Sequence, residues 1–298
     1  MKVIMLFLLL AGGAVWAAET PVPEDSPCGR LIITPFATAP YPHPSRANGH
    51  KYHDEFYSAA TNYSDSTVAL FIPNGFRATD RIDFVVHFHG WRHTVAGTLP
   101  EYKLPEQFAA SGRNAILIVP QGPYNAPDSG GGKLEDTNGF LRFIAEAMTT
   151  LKQRGVCSNE AVAGDIILSG HSGGYQVMSS IVDHGGLTGQ VKEVWLFDAL
   201  YAHSDEFLAW AAREPGRLLD IYTDHGGTRE NSEAMIATLR QQGAALVATN
   251  DLAVTPAELA TNRYVFLHSD MVHDDVMAKR KTFQSFLETS CLPPIKEP

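Results

Sequence analysis

The sequence predicts a single α/β domain, built on a doubly wound and mostly parallel β-sheet with helices on both faces. Seven short runs typical of β-strands recur along the chain, namely TVALFIP, FVVHF, AILIVP, DIILS, EVWLF, LLDIY and RYVFL. Most of them are apolar almost throughout, which fits strands buried on both faces of a parallel sheet. Segments with helical spacing alternate with these runs, and this alternation implies right-handed strand–helix–strand units in one open sheet.

The elements can be placed in order along the chain. TVALFIP is expected as an edge strand, followed by the other runs as short buried strands. The clearest helix is predicted from Asn138 to Arg154, with Gly155 at the position of a C-terminal cap. Its apolar face is expected to hold Leu141, Ile144, Met148 and Leu151. Further helices are predicted after Gly174 and over residues 206–213, 229–242 and 275–289.

Length, composition and charge narrow the class of protein. The chain has 298 residues, of which 44% are hydrophobic, enough for one large α/β domain with a substantial core. The formal net charge is −10, and the sequence contains no run of Lys or Arg. Nucleic acid and anionic membranes are therefore disfavoured as partners.

The first residues predict the compartment. Lys2 is followed by the apolar stretch VIMLFLLLAGGAV and then by small residues around Ala17 and Ala18. The stretch is shorter than the roughly 20 residues that a membrane-spanning helix needs, which disfavours an anchor and stable membrane insertion. A basic start, an apolar centre and a small-residue exit are typical of a signal peptide, here residues 1–18. The mature protein is expected to be secreted or periplasmic.

Residues 19–66 are rich in Pro, His, Tyr and Asn and show little periodicity. They are interpreted as an N-terminal extension with at most a short strand at LIIT, and residues 67–298 as the domain itself. The spacing of Cys28, Cys157 and Cys291 fits neither a zinc site nor a redox pair. In an oxidising compartment at most one intramolecular disulfide can form among them, and inert thiols are an equal alternative.

The strand DIILS runs directly into Gly170-His171-Ser172-Gly173-Gly174, after which helical spacing resumes. Glycines on both sides of a serine allow a bend that is too tight for larger side chains. This G-x-S-x-G pattern between a strand and a helix is typical of a nucleophile elbow, which presents a serine oxygen at the carboxyl edge of a sheet. The pattern makes Ser172 the candidate nucleophile.

A glycine-rich structural turn or a phosphate cradle is the alternative interpretation of the same residues. The G-K-[ST] ending of a phosphate-binding loop is missing here, and it is also missing from the nearby GGGKLE. Ser129, in the long loop PQGPYNAPDSGGGKLED, precedes three glycines but no convincing helix, so it is rejected as a nucleophile. That loop is interpreted either as a wall of the substrate cleft or as a solvated excursion.

The strand FVVHF ends in His89-Gly90-Trp91, and here the chain resembles the α/β-hydrolase superfamily, whose first parallel strand often ends in such a His-Gly pair. The resemblance covers roughly residues 67–287 and implies an oxyanion hole made by the backbone N–H groups of Trp91 and Gly173. Backbone donors suit that task because they are fixed before the charge develops.

A metal site is the competing interpretation of the same segment. His87, His89 and His93 approximate an H-x-H-x3-H ligand cluster, which would make the protein a metal-dependent hydrolase. Against this, His87 and His89 lie in a strand expected to be buried, and no Asp follows at ligand spacing.

A nucleophilic serine needs a base, and a base needs an orienting acid. The resemblance implies that the acid comes first and the histidine last, which favours His273 in the loop after RYVFL over His268 at the end of that strand. For the acid, Asp198 ends the strand EVWLF among apolar residues, where an unpaired carboxylate would be costly. Asp224 follows LLDIY, where most members of the superfamily carry the acid, and it stays the alternative to the favoured Asp198.

The resemblance therefore implies a serine hydrolase that cleaves an ester or related acyl bond through an acyl-enzyme and needs no cofactor. Only the short segment YAHSDEFLAWAAREPG separates the sixth and seventh strands, where lids are often inserted, so we expect an open cleft. Such a cleft suits ester-type or polymer-derived substrates. A non-catalytic binding protein with this fold is a further alternative, because fold alone does not fix function.

Overall fold

The computed structural model describes residues 25–296 and centres on a ten-stranded sheet. Its strands follow the order β1-β2-β5-β7-β6-β8-β9-β10-β12-β11. They are β1 (Asp25–Ser26), β2 (Gly29–Pro35), β5 (Thr67–Pro73), β6 (Arg81–Phe88), β7 (Ile116–Pro120), β8 (Val162–His171), β9 (Val191–Phe197), β10 (Arg217–Thr223), β11 (Val247–Asn250) and β12 (Tyr264–Ser269). All neighbours from β7 to β11 are parallel, whereas β1, β2 and β5 pair antiparallel. A separate hairpin consists of β3 (His50–Tyr52) and β4 (Glu55–Tyr57).

Helices cover both faces of the sheet. They are α1 (Ala59–Asn62), α2 (Val95–Glu101), α3 (Leu104–Ala110), α4 (Gly139–Gln153), α5 (Tyr175–His184), α6 (Ser204–Arg213), α7 (Arg229–Gln241), α8 (Pro256–Thr261) and α9 (Thr282–Glu288). Buried residues of α4 to α7 belong to one apolar cluster, and those of α2, α3, α8 and α9 to another. Successive residues of β8 alternate between the clusters, with Ile166 and Leu168 in the first and Ile167 in the second. This burial on both faces explains the unbroken apolar runs.

The predicted fold class is confirmed, and all seven predicted runs are strands. The expectation that TVALFIP forms an edge strand is wrong. This run is β5, and β2 pairs with its outer side over seven residues, with Leu31 opposite Phe71. The LIIT run lies within β2, whose hydrogen bonds cover the edge that β5 would otherwise expose.

The described part of the N-terminal extension packs onto the helices. The carboxylate of Glu146 in α4 accepts hydrogen bonds from the backbone N–H groups of Ala37 and Thr38, each at 2.8 Å. Thus β2 joins the large sheet, and the segment that follows it is held against α4. The predicted signal peptide, residues 1–18, lies outside the described residues.

Two helix predictions need correction. Helix α4 agrees with its predicted bounds to within one residue, but Leu141 is 41% exposed, and Phe140 and Phe143 take the buried positions. The last helix, expected from about Asp275, begins only at Thr282. Lys281 has a φ of 54° just before it, and a residue in this left-handed region cannot continue a right-handed helix.

Two further observations concern the state of the cysteines and the question of a membrane-spanning helix. Cys28, Cys157 and Cys291 are free thiols in the structure. Among residues 25–296, no helix has the length and apolar content needed to span a bilayer.

Asp220 is an unusual residue of the sheet interior. It lies in β10 with no exposed surface, and within residues 25–296 neither of its carboxylate oxygens has a hydrogen bond partner of normal geometry. Burial raises the pKa of Asp220 to about 7, and the nearby Ser232 hydroxyl offsets only part of this rise. An ordinary Asp has a pKa of about 3.9, which serves as the value in the unfolded chain.

Asp220 should make the stability of the protein depend on pH. Between about pH 4 and pH 7 the unfolded chain releases this proton while the folded chain keeps it, so the free energy of unfolding falls as pH rises. Asp220→Asn has a similar shape and cannot ionise. Its free energy of unfolding, measured with urea, should exceed that of the wild type by more at pH 8 than at pH 5. The exposed Asp80→Asn controls for the loss of one negative charge. An Asp220→Asn difference that stays constant with pH would contradict this assignment.

Candidate active site

Ser172 lies at a sharp bend where β8 ends. His171 is the last residue of β8, a 3-10 turn covers Ser172–Gly174, and α5 begins at Tyr175. Ser172 has a φ of 52°, a left-handed conformation that few residues other than glycine adopt. Such backbone strain costs about 1–3 kcal/mol and concentrates at functional sites. The bend holds the half-buried Ser172 side chain at the carboxyl edge of the sheet.

Three glycines around Ser172 lie in close packing. A Cβ atom on Gly170 would lie 2.4 Å from the sulfur of Met178, and one on Gly174 would lie 2.6 Å from the carbonyl oxygen of Phe88. A Cβ on Gly90, at the end of β6, would lie 2.7 Å from the Cβ of Ser172 itself. Real Cβ atoms do not approach other atoms this closely. The side chain of Met178 can move aside, but the backbone of Phe88 and the Cβ of Ser172 cannot, so the bend fits against β6 only with glycine at positions 174 and 90.

The side chain of Ser172 opens into a cleft of about 170 Å³. The cleft is lined by Trp91, Ser129, Ser172, Gly173, Tyr175 and Tyr201. Trp91 is 39% exposed, so solvent reaches the cleft directly. Between β9 and β10 the chain holds only α6 and its short connections, and Tyr201 is its contribution to the cleft wall.

The two predicted oxyanion donors adjoin Ser172. Gly173 belongs to the first turn of the 3-10 segment, and the N–H groups of a first helical turn have no acceptor within the helix. A Cβ on Gly173 would lie 2.7 Å from the indole Cδ1 of Trp91 and 2.8 Å from Oγ of Ser129. Trp91 follows β6 and Gly90 and lines the same cleft as Ser172. The amino end of α5 adds a positive partial charge at this point.

His273 and Asp198 are hydrogen-bonded to each other. The Nδ1–H group of His273, which follows β12, donates to Oδ2 of Asp198 over 2.8 Å. Asp198 directly follows β9, is fully buried and has a φ of 47°. Because Nδ1 carries the proton in this bond, the neutral ring leaves Nε2 as a hydrogen bond acceptor.

The Asp198 carboxylate is enclosed by donors. The hydroxyl groups of Thr223 and Thr228 donate to it, the former over 2.7 Å, and so does the backbone N–H of Thr223. Burial acts to raise the pKa of Asp198, but the hydrogen bonds from His273, Thr228 and Thr223 outweigh it and hold the pKa below its usual value. A Cβ on Gly226 would lie only 1.7 Å from Oδ2 of Asp198, so this packing also requires a glycine.

The alternative acid and the alternative base lie together at a different place. His268 Nε2 lies 2.8 Å from Oδ1 of Asp224, and Arg229 also binds this carboxylate. Both side chains are partly exposed, and neither of them lines the cleft of Ser172. The structure thus pairs Asp198 with His273 and Asp224 with His268.

His171 connects the bend to the loop of His273, a role that sequence analysis missed. Its Nε2–H donates to the backbone carbonyl oxygen of His273 over 3.1 Å, and its Nδ1 accepts from the Tyr102 hydroxyl over 3.0 Å. The rings of His171 and His273 lie 4.5 Å apart. Burial lowers the pKa of His171 to about 3, so the ring stays neutral. Since His171 immediately precedes Ser172, this bond places the loop of His273 next to the bend that carries the serine.

The histidines of the HFHGWRH segment do not converge on one point. His87 Nδ1 lies 2.9 Å from the Ser169 hydroxyl, and His89 Nε2 accepts the Gly122 N–H over 2.9 Å. His93 lies near the Tyr102 hydroxyl and the Glu101 carboxylate, so each of the three histidines has different polar neighbours.

A different group has ligand atoms within 4.8 Å of one another among residues 25–296, and it consists of His171, His273 and Asp274. Both ring nitrogens of His171 and Nδ1 of His273 are already engaged in the bonds described above. The geometry therefore fits a serine site better than a metal site.

No protein-family model and no curated protein matches this sequence. Solved structures do match. One is a serine-to-alanine mutant of the feruloyl esterase module from Clostridium thermocellum, 10% identical, with 91% of this chain and 89% of that chain covered and a TM-score of 0.52. Another is the substrate-bound fluorophosphonate-binding serine hydrolase F of Staphylococcus aureus, 12% identical, with 88% and 99% covered and a TM-score of 0.51. At these identities the likeness concerns the fold, and we conclude that this chain has the α/β-hydrolase fold.

Proposed function

We propose that the protein is an exported serine hydrolase that cleaves an ester or related acyl bond through an acyl-enzyme. One observation carries the proposal: a strained serine at the bend after β8 lies beside a loop whose histidine is oriented by a buried carboxylate. Export rests on the sequence pattern of residues 1–18 alone. An ester-type substrate fits a solvent-reachable cleft that holds this serine.

In the proposed mechanism His273 is the general base. Its Nε2 takes the proton of the Ser172 hydroxyl as the oxygen attacks the acyl carbonyl. Asp198 keeps the proton on Nδ1 and stabilises the imidazolium that forms, because its carboxylate is ionised and buried beside the ring. His273 then gives the proton to the leaving alcohol, and a water molecule releases the acyl group by the same sequence of steps.

The developing oxyanion would be stabilised by the backbone N–H groups of Trp91 and Gly173. Both residues border the cleft at Ser172, and neither donor depends on a side-chain rotamer. Loss of one such donor typically costs about 100- to 1,000-fold in turnover, so fixed backbone groups supply a large part of the proposed rate enhancement.

Labelling with a fluorophosphonate probe tests the nucleophile. The purified protein should gain the mass of one phosphonyl group on the peptide that contains Ser172, because only an activated serine attacks the probe. Ser172→Ala should show neither labelling nor hydrolysis of 4-nitrophenyl acetate. Ser129→Ala, which changes another serine of the same cleft, should still be labelled at Ser172. A non-catalytic binding protein would remain unlabelled, and a label on Ser129 would refute the assignment.

A comparison of two carboxylates tests the acid. Asp198→Ala should lower kcat by about 10,000-fold, as expected when a catalytic histidine loses its orienting carboxylate. Asp224→Ala removes only an exposed ion pair, so its kcat should stay within about threefold of the wild-type value. The rates are measured with 4-nitrophenyl acetate at pH 8, after equal thermal unfolding temperatures have shown that both variants are folded. The reverse order of the two effects would make Asp224 the acid, and near-normal turnover of both variants would exclude this triad.

A further inference from the structure

The cleft at Ser172 has aromatic walls, which consist of the side chains of Trp91, Tyr175 and Tyr201. Ser172 and Gly173 line the same cleft, so a group bound against these aromatic side chains lies next to the reacting bond. The volume of about 170 Å³ suffices for one ring and a short linker, and is small compared with sites that enclose large ligands.

The Trp91 wall is held in place from two directions. Its indole Nε1–H donates to Oγ of Ser129 over 2.8 Å. The ring of Tyr52, in the β3–β4 hairpin, meets the indole edge-to-face with 5.2 Å between the ring centres. Trp91 is exposed but has a defined orientation, and a fixed ring loses little freedom when a ligand stacks on it.

Ser129 in turn is fixed by the N-terminal segment. The neighbouring Asp128 is 8% exposed and binds the guanidinium of Arg46 with two hydrogen bonds of 2.6 and 2.9 Å. The Tyr63 hydroxyl donates to the same carboxylate over 3.0 Å. On the other side of Ser129, the carbonyl oxygen of Gly130 accepts from Tyr41. These buried contacts make the loop of Ser129 a rigid part of the cleft.

The two tyrosines of the cleft are also ordered. The ring of Tyr175 lies 5.7 Å from that of Tyr201 and 5.9 Å from that of His203. The Tyr201 hydroxyl donates to the backbone carbonyl oxygen of Gly226. Tyr201 is thereby tied to the loop that encloses the Asp198 carboxylate.

The polar atoms of the walls are mostly engaged within the protein. The indole N–H of Trp91 binds Ser129, and the hydroxyl of Tyr201 binds Gly226. None of the lining residues carries a charge. A sugar ring needs several hydrogen bond partners for its hydroxyls, whereas a flat apolar ring needs only the faces that these walls offer. The cleft therefore favours an aromatic ring over a sugar.

We propose that the substrate of Ser172 is an ester that carries one planar aromatic ring, which packs against the side chains of Trp91, Tyr175 and Tyr201 in this cleft. This inference rests on the proposed function, because it assigns the cleft to the substrate of that reaction. Contact between two aromatic rings stabilises a complex more than burial of the same apolar area does. The difference corresponds to roughly a two- to tenfold preference for an aromatic ring over a saturated ring of similar size.

Matched esters test the proposal. Methyl 3-phenylpropanoate and methyl 3-cyclohexylpropanoate differ only in the ring, which is separated from the carbonyl by two carbons, so their intrinsic reactivity is similar. A second pair, 2-phenylethyl and 2-cyclohexylethyl acetate, places the ring on the alcohol side. In at least one pair the aromatic ester should have the higher kcat/KM, by about threefold or more. The pair that shows the preference identifies the side of the ester that occupies the cleft.

Variants locate the preference in the walls. In Trp91→Leu and Tyr175→Leu the ratio of aromatic to cyclohexyl kcat/KM should fall toward one, whereas Tyr175→Phe, which keeps the ring, should retain it. Phe56→Leu changes an aromatic residue that is 66% exposed and outside the cleft, and should leave the ratio at its wild-type value. An equal loss of ratio in Phe56→Leu would overturn the assignment to these walls.

A binding measurement separates this inference from the proposed function. Ser172→Ala should bind methyl 3-phenylpropanoate or 2-phenylethyl acetate about threefold or more tightly than the matching cyclohexyl ester, as measured by NMR titration. If the wild type hydrolyses none of the esters but Ser172→Ala keeps this preference, the serine mechanism fails and the aromatic site stands. If hydrolysis occurs with ratios of one or less in both pairs, the mechanism stands and the aromatic site is overturned.

Discussion

The hydrogen bond between Asp198 and His273 is the interaction on which the rest of the site depends. The carboxylate is fully buried at the end of β9, where an unpaired charge would cost several kcal/mol. Donors from Thr223, Thr228 and His273 satisfy it. The charge is therefore stable only if the segments at the ends of β9, β10 and β12 come together. The same arrangement stabilises the fold and forms the candidate catalytic site.

A second set of contacts positions the serine. His171 binds the backbone of His273 and leads directly into Ser172, whose left-handed backbone fixes the direction of its side chain. Tyr201 joins the enclosure of Asp198 to the cleft, because its hydroxyl binds Gly226 and its ring lines the wall. The proposed nucleophile, base and substrate wall are thus held by packed or hydrogen-bonded neighbours, as a preorganised site requires.

Features that depend on local pattern could be predicted from the sequence. Unbroken apolar runs identify strands buried on both faces, and the G-x-S-x-G pattern between a strand and a helix places Ser172 at a bend. Burial also distinguishes the two acids, since Asp198 ends an apolar run and Asp224 precedes a polar turn. The structure pairs only Asp198 with His273. The catalytic roles of these residues are our proposal.

Features that depend on distant contacts could not be predicted. The Arg46–Asp128 pair joins residues 82 positions apart, and nothing local to either residue indicates the other. The periodicity of apolar residues gives the bounds of α4 correctly. It does not show which side of the helix is buried, because Phe140 and Leu141 are adjacent and both apolar. Neighbouring elements cover Phe140 and leave Leu141 exposed. The position of β5 inside the sheet also depends on a distant contact. The strand that covers its edge, β2, comes from a segment without clear periodicity.

Kinetics of Gly226→Ala test the central claim most directly, because this change removes none of the proposed catalytic side chains. The added methyl group would lie 1.7 Å from Oδ2 of Asp198 and must displace the carboxylate from His273. The account predicts a loss of about 100-fold in kcat, the scale expected for a displacement of about 1 Å, in a variant that remains folded. Gly189→Ala, whose Cβ would meet no atom within 4 Å, should retain wild-type kinetics. Wild-type turnover in a folded Gly226→Ala would show that the buried carboxylate does not orient the base.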